Sequence, residues 1–278
     1  WVARSLHDKE RATVISRDDK QITVEAPHKT CPDLEEFKQA GVDTMAKCFQ
    51  FGLEKHSHKR CLGTRQLLEE KDEVQGNGKL FKKWRLGEYT WQSYVDIDQL
   101  STRLGKGLRE LGQLPQQNLC IFADTKADWM VAAQGCFKQS FPVVTLYTNL
   151  GEEAIIHAIN QTEVEVVITN HELLPKFQRI LTKTPKVAVV VFMEDQLAET
   201  PREGFKAGVN IISFSEVLQL GETSNALASP PKPEDPAIIM YTSGSTGIPK
   251  GVILPHSALI ATVKAFHFVT DPVRPNDI

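Results

Sequence analysis

Four hydroxyl residues, three glycines and one lysine fall within ten consecutive positions, Thr242-Ser243-Gly244-Ser245-Thr246-Gly247-Ile248-Pro249-Lys250-Gly251. Glycine has no Cβ, so backbone N–H groups there can turn toward a ligand and approach it closely. Successive inward N–H groups make a concavity that attracts anions. The hydroxyls of Thr242, Ser243, Ser245 and Thr246 add rotatable donors. Lys250 adds a point positive charge suited to phosphate oxygens, and Pro249 holds Ile248 extended. The set suits the triphosphate of a nucleotide. A flexible Gly/Ser turn between strands has a similar composition, and the residues alone leave both readings open.

Three better-known loops are excluded by spacing. A Walker loop needs G-x-x-x-x-G-K-[ST], but Gly244 and Gly247 are too close and Gly251 follows the lysine. Gly105-Lys106-Gly107 lies mid-helix and has Glu110 where a dinucleotide fingerprint needs glycine. A nucleophile elbow around Ser245 fails because position 243 is serine. His56, His58, Cys48 and Cys61 match no zinc-finger spacing. His256 follows the loop closely, either at the substrate end of a site or as a helix-start residue packed beside Ser257. Trp129 and Phe137, on one helix, read as core. Tyr147 and Thr148 read as a plain strand terminus ahead of the turn at Gly151.

The elements around the loop alternate. Ala237–Tyr241 and Val252–Leu254 read as strands on either side of it, and Ser257 as the N-cap of a helix to about Phe266. Upstream, strands are predicted over 119–123, 142–147, 164–169, 187–193 and 209–213. Helices are predicted over 127–137, 152–159, 172–181 and 215–220. A long helix is predicted from Trp91 to Leu111, ended by Gly112. Continuous apolar strands alternating with helices imply an α/β fold with a mostly parallel sheet and helices on both faces. Residues 222–236, with four prolines, read as a linker-like loop. Residues 55–83, rich in Lys, Glu and Gly, read as surface loops with a turn at Gly76–Gly78. Short strands are predicted at 12–16 and 21–25 within a polar N-terminal segment, 1–40.

Hydrophobic residues make up 41% and charged residues 24%, enough for a core, and the formal net charge of −3 gives no bulk attraction to nucleic acid. The five cysteines include no C-x-x-C pair, and Cys120 and Cys136 sit in apolar runs, which fits buried thiols in a reducing compartment. No run of 18 apolar residues occurs. Trp1 in place of methionine points to a sequence cut from a longer chain.

Tyr241–Gly251 resembles the signature of the adenylate-forming superfamily, matching at all eleven positions. Asn77–Lys83, Leu86–Trp91, Ile121–Met130, Val144–Gly151 and His157–Val164 resemble the long-chain acyl-CoA synthetases within it. Asp124 and Lys126 stand where that group usually has glutamate and arginine. The resemblance implies activation of a long-chain fatty acid by ATP to an acyl-adenylate, then transfer to coenzyme A, with Mg²⁺ as cofactor. It implies that Thr242, Ser243, Gly244, Ser245, Thr246, Gly247 and Lys250 hold the β- and γ-phosphates, with Thr242 near the metal, and it places His256 toward the substrate end. Residues 41–278 would be an incomplete AMP-binding domain. The family's later segments and C-terminal catalytic domain do not occur before Ile278, so this piece is expected to be inactive alone. The parent is expected on the cytosolic face of the endoplasmic reticulum, mitochondrial outer membrane, peroxisome or lipid droplet, held by a segment outside this chain. The alternatives are a ligase for medium-chain or aryl acids, or a truncated nucleotide- or lipid-binding product without catalysis.

Overall fold

The computed structural model describes residues 13–17, 22–25, 32–74, 76, 78, 80–242 and 249–269. The chain divides into two compact units, residues 1–41 with 264–278, and residues 42–263. In the first, β1 (Thr13–Arg17) and β2 (Ile22–Glu25) form an antiparallel pair, β1 ending one residue beyond its predicted place and β2 ending at Glu25 as predicted, and α1 (Pro32–Gln39) follows.

The second unit begins with α2 (Met45–His56), β3 (Arg60–Val74), β4 (Leu80–Ser93) and α3 (Tyr94–Glu110). The alternating part then comprises β5 (Leu119–Phe122), α4 (Ala127–Lys138), β6 (Val143–Thr145), α5 (Glu152–Gln161), β7 (Val166–Asn170), α6 (Leu174–Ile180), β8 (Val189–Met193), β9 (Asn210–Ser213) and α7 (Phe214–Thr223). It ends in β10 (Pro236–Thr242), β11 (Lys250–Pro255) and α8 (His256–Val269), the last crossing the boundary between the units. Seven strands form one sheet in the order β11-β10-β6-β5-β7-β8-β9, parallel throughout except for antiparallel β11 at one edge.

The sheet is covered on both faces, which is why its central strands are apolar without a break. Leu119 and Ile121 of β5 face one core, with Leu104 and Leu108 of α3, Val131 of α4 and Val217 of α7. Cys120 and Phe122 face the other, with Ile155 and Ile159 of α5 and Phe177 of α6. Burial pushes the Cys120 and Cys136 thiols far above their usual range, so both stay protonated. No helix among the described residues is long and apolar enough to cross a membrane.

Four local readings need correction. Most of residues 55–83 is not loop: 55 and 56 end α2, while 60–74 and 80–83 lie in a two-stranded antiparallel ribbon, β3 with β4, in which Glu69 meets Arg85, Glu70 meets Lys82 and Glu73 meets Lys83. Both faces meet water, so charges replace the apolar alternation that marks a half-buried strand. Gly76 and Gly78 lie between the strands, Gly78 at φ +78°, while Asn77 lies outside the described residues. The long helix starts at Tyr94 rather than Trp91. Ser93 caps it, accepting from the Asp96 N–H while Asp96 accepts from the Ser93 N–H, and Trp91 stays in β4 stacked on Tyr89 at 5.5 Å. α6 is shorter than predicted because Pro175 opens it and single 3₁₀ turns flank it. α8 begins at His256, so Ser257 is not its cap. The leading N–H groups of His256 and Ser257 instead donate to the carbonyls of Asp235 and Pro233.

Those carbonyls belong to the stretch 224–235, which has no regular structure beyond a turn. It is tied down along its length. Ser140 donates its hydroxyl to the Ser229 carbonyl at 2.6 Å, the Ser229 N–H donates to the Lys138 carbonyl, and Gln116 donates to Asp235 at 3.0 Å.

Candidate functional site

β10 and β11 make a hairpin in register, with Tyr241 opposite Gly251 and Thr242 opposite Lys250. The feet of the glycine–hydroxyl–lysine loop are thereby fixed. Thr242 closes one strand, Lys250 opens the next, and both are exposed. Ser243, Gly244, Ser245, Thr246 and Gly247 lie outside the described residues. Directly below the loop, Tyr241 is buried, and its hydroxyl donates to Gln161 Oε1 at 2.6 Å on α5. A Cβ on Gly251 would stand 3.2 Å from the Tyr241 ring, so glycine there leaves space for that ring. Burial raises the Tyr241 phenol above its ordinary pKa, and it stays a donor. Tyr241→Phe removes this bond and is expected to cost about 1 kcal/mol in denaturant unfolding.

β10 runs parallel to β6, so the Thr242 end of the hairpin lies at the carboxyl edge of the parallel sheet. The chain leaves β5 for α4 on one face and leaves neighbouring β6 for α5 on the other. Such a switch point opens a crevice outside the strand ends, where ligands of α/β sheets bind. A cleft of about 360 Å³ occupies it, lined by Asp124 and Thr125 after β5, Tyr147 and Thr148 after β6, Met240 of β10, and Trp129. Tyr147 and Thr148 are thus cleft walls, not a plain strand end. Trp129 serves the core and the cleft together.

The cleft rim is built by residues far apart in sequence. Thr148 donates its hydroxyl to Asp124 Oδ1 at 2.8 Å, Asn170 donates to Asp124 Oδ2 at 2.7 Å, and Lys176 donates to the Thr148 carbonyl at 2.7 Å. The loops after β5, β6 and β7 are thereby locked together. Sequence reasoning missed this network, and its one signal was that all three polar residues sit at strand ends.

His256 stands elsewhere. It is 1% exposed, its ring lies edge-on to Phe137 at 5.4 Å, and its Nδ1 accepts the Met45 N–H at 3.2 Å. Accepting at Nδ1 requires the neutral imidazole. Burial pushes its pKa down to about 4, against the pull of Asp235 and Asp43. A histidine depressed in the fold relative to the unfolded chain gives stability that is full at neutral pH and drains as pH falls from about 6.5 toward 4. The expected loss is about 2 kcal/mol between pH 7 and pH 5. Urea unfolding at both pH values measures it, and His256→Gln should remove most of the difference.

The profile of the family described as AMP-binding enzyme matches residues 68–278. The chain belongs to that family. Among curated AMP-binding relatives, long chain acyl-CoA synthetase 8 of Arabidopsis thaliana is 34% identical over 252 residues, covering 90% of this chain and 35% of the relative. Human long-chain-fatty-acid–CoA ligase 1 is 30% identical over 238 residues, covering 83% of this chain and 31% of the relative. The chain spans about a third of the length of the curated relatives it matches. Among solved structures, the adenylation domain of a carboxylate reductase from Mycobacterium chelonae superposes with a TM-score of 0.67 at 17% identity, covering 85% of this chain and 42% of that one. The corresponding domain from Segniliparus rugosus, in complex with AMP and a co-purified carboxylic acid, gives 0.64 at 18%, covering 80% and 37%. These likenesses show the fold of adenylate-forming enzymes, as the motif implied.

Proposed function

We propose that this chain supplies the phosphate-gripping part of a long-chain-fatty-acid–CoA ligase. One observation carries the reading: a complete glycine–hydroxyl–lysine signature spans the hairpin at the carboxyl edge of a parallel sheet. The curated relatives support the acid and the thiol acceptor named for this reaction. In the first half-reaction a carboxylate oxygen bonds to the α-phosphorus of ATP as the bond to the β-phosphate oxygen breaks and pyrophosphate leaves. In the second, the thiol of coenzyme A takes the acyl carbon and AMP departs.

The chain's part is electrostatic. Lys250 and the loop donors would hold the β- and γ-phosphates where negative charge builds as pyrophosphate leaves. Mg²⁺ would neutralise phosphate charge, taking most ligands from phosphate and water. Thr242 offers an exposed hydroxyl at the strand end for that ion, whereas Asp124 is already engaged by Thr148 and Asn170. The 278 residues alone are proposed to form no acyl-CoA. The whole protein is proposed to work at the cytosolic face of intracellular membranes.

Acid-dependent exchange of pyrophosphate into ATP by the whole protein tests the reading. Exchange with long-chain acids, and little with medium-chain or aryl acids, is the expected result. Exchange confined to short or aryl acids would replace the proposed substrate, and none with any acid would remove the activity.

A further inference from the structure

The two feet of the glycine–hydroxyl–lysine loop overhang the sheet. β10 pairs with β6 only from Ile238 to Met240, because β6 ends at Thr145, opposite Met240. Tyr241 and Thr242 run on past that point, and among the described residues β11 is their one strand partner. β11 is itself the edge strand, and Lys250, Gly251, Val252 and Ile253 are all exposed. A two-stranded ribbon with nothing packed on it is marginal in water. Backbone pairing therefore does not fix where Thr242 and Lys250 stand, and the Tyr241 side chain supplies the missing hold. Tyr241 is 1% exposed although it lies beyond the end of β6, and it packs in the core on the α5 side of the sheet. Its hydroxyl reaches α5, donating to Gln161 Oε1 at 2.6 Å, with the Ala158 carbonyl at 3.5 Å as a weaker second acceptor.

We infer that Gln161 is a positioning residue for phosphate binding: through the Tyr241 hydroxyl it fixes the foot of the loop, and so the place where Thr242 and Lys250 meet the nucleotide. This role rests on the proposed grip of Lys250 and the loop on phosphate. Tyr241 is a stiff lever, with a ring buried at the foot of the loop and a hydroxyl tied at its far end. Releasing the far end leaves the ring in the core but lets the overhanging hairpin rock about its three-residue pairing with β6. Donors that must be brought into place as the ligand arrives bind it less tightly than donors already in place. Gln161 is also the last residue of α5, the helix that begins directly after the cleft wall at Tyr147 and Thr148. One helix thus links the cleft wall at its start to the anchor of the loop at its end. Gln161 lies 80 residues from Tyr241 and outside the motif, so no local pattern marks it.

Equilibrium binding of ATP with Mg²⁺ to the whole protein is the test, with KM for ATP and kcat from pyrophosphate exchange beside it. Gln161→Leu removes the acceptor at similar size and leaves the hydroxyl only the Ala158 carbonyl. ATP affinity is expected to fall about 3-fold and KM to rise to match, with kcat within about 2-fold of wild type. Tyr241→Phe loses both acceptors and should weaken binding about 3- to 10-fold. Gln161→Glu keeps an oxygen acceptor and should bind ATP as wild type does. In the Tyr241→Phe background, Gln161→Leu should change nothing further, because Gln161 acts only through the hydroxyl. A merely structural bond would lower the urea midpoint and leave ATP affinity untouched. That result overturns the inference, as does a Gln161→Leu loss that persists in full without the Tyr241 hydroxyl. So does Gln161→Glu as impaired as Gln161→Leu. A wild type that binds ATP and exchanges, with all variants unaltered, removes the inference alone. A wild type that binds no ATP removes the phosphate grip and the inference together.

Discussion

Lys250→Ala is expected to weaken ATP binding by the whole protein about 10- to 100-fold, the range covered by one lost charge-assisted contact to phosphate. Thr242→Ala should cost less, about 3- to 10-fold, as befits a neutral hydroxyl. The argument rests on where these residues stand. Both are exposed at the feet of the hairpin, and Lys250 makes no ion pair among the described residues. Neither side chain supports the core below, where Tyr241 and Gly251 do the packing. Unfolding free energy should therefore stay within about 0.5 kcal/mol of wild type in both variants, which separates ligand loss from fold loss. Lys250→Arg keeps the charge but changes a compact ammonium into a planar fork, so a partial rescue is expected. Equilibrium binding of ATP with Mg²⁺ measures all three. Wild-type affinity in the variant lacking both Lys250 and Thr242 side chains would leave the loop as a mere turn.

The parallel sheet was legible because its strands are buried on both faces, so apolar residues follow one another along them without the polar alternation of a half-buried strand. The glycine–hydroxyl–lysine motif was legible because its residues are local: hydroxyl donors, glycines and a charge all fall in one stretch. The ribbon was hidden for the opposite reason. Solvent lies on both sides of β3 and β4, so hydrophobic alternation, the usual signal, has no cause to appear. Trp91 and Tyr94 happen to stand three apart, which mimics a helical face across a strand–helix junction set by the Ser93 cap. His256 shows the limit most clearly. Its role depends on the Met45 N–H, 211 residues away, and no local pattern around Pro255-His256-Ser257 encodes that partner. The Asp124–Thr148–Asn170 lock is similarly non-local, assembled only when three strand ends are brought side by side.

Gly221→Ala is expected to cost more than about 3 kcal/mol, or to prevent folding, by overpacking against backbone that cannot yield. A methyl group there would lie 1.7 Å from the Arg103 carbonyl oxygen, and one on Gly107 would lie 2.0 Å from the Val217 carbonyl oxygen. α3 and α7 thus cross closer than any side chain between them permits. Gly105 serves a second crossing on another side of α3, where an added Cβ would meet the Gly135 carbonyl at 2.9 Å on α4. This explains two glycines in mid-helix, each of which lowers helix propensity by about 1 kcal/mol relative to alanine. Their spacing has nothing to do with a dinucleotide. It sets how near α3 lies to both neighbours. The site depends on this, because α4 follows directly on the loop after β5 that walls the cleft with Asp124 and Thr125. Gly151→Ala is the control, since nothing lies within 4 Å of its added methyl. It should cost about 1 kcal/mol or less, the difference between glycine and alanine at an N-cap. Thermal and urea unfolding distinguish the two. A Gly221→Ala protein as stable as Gly151→Ala would mean that α3 and α7 can slide apart, and that their close crossing does not hold the cleft in place.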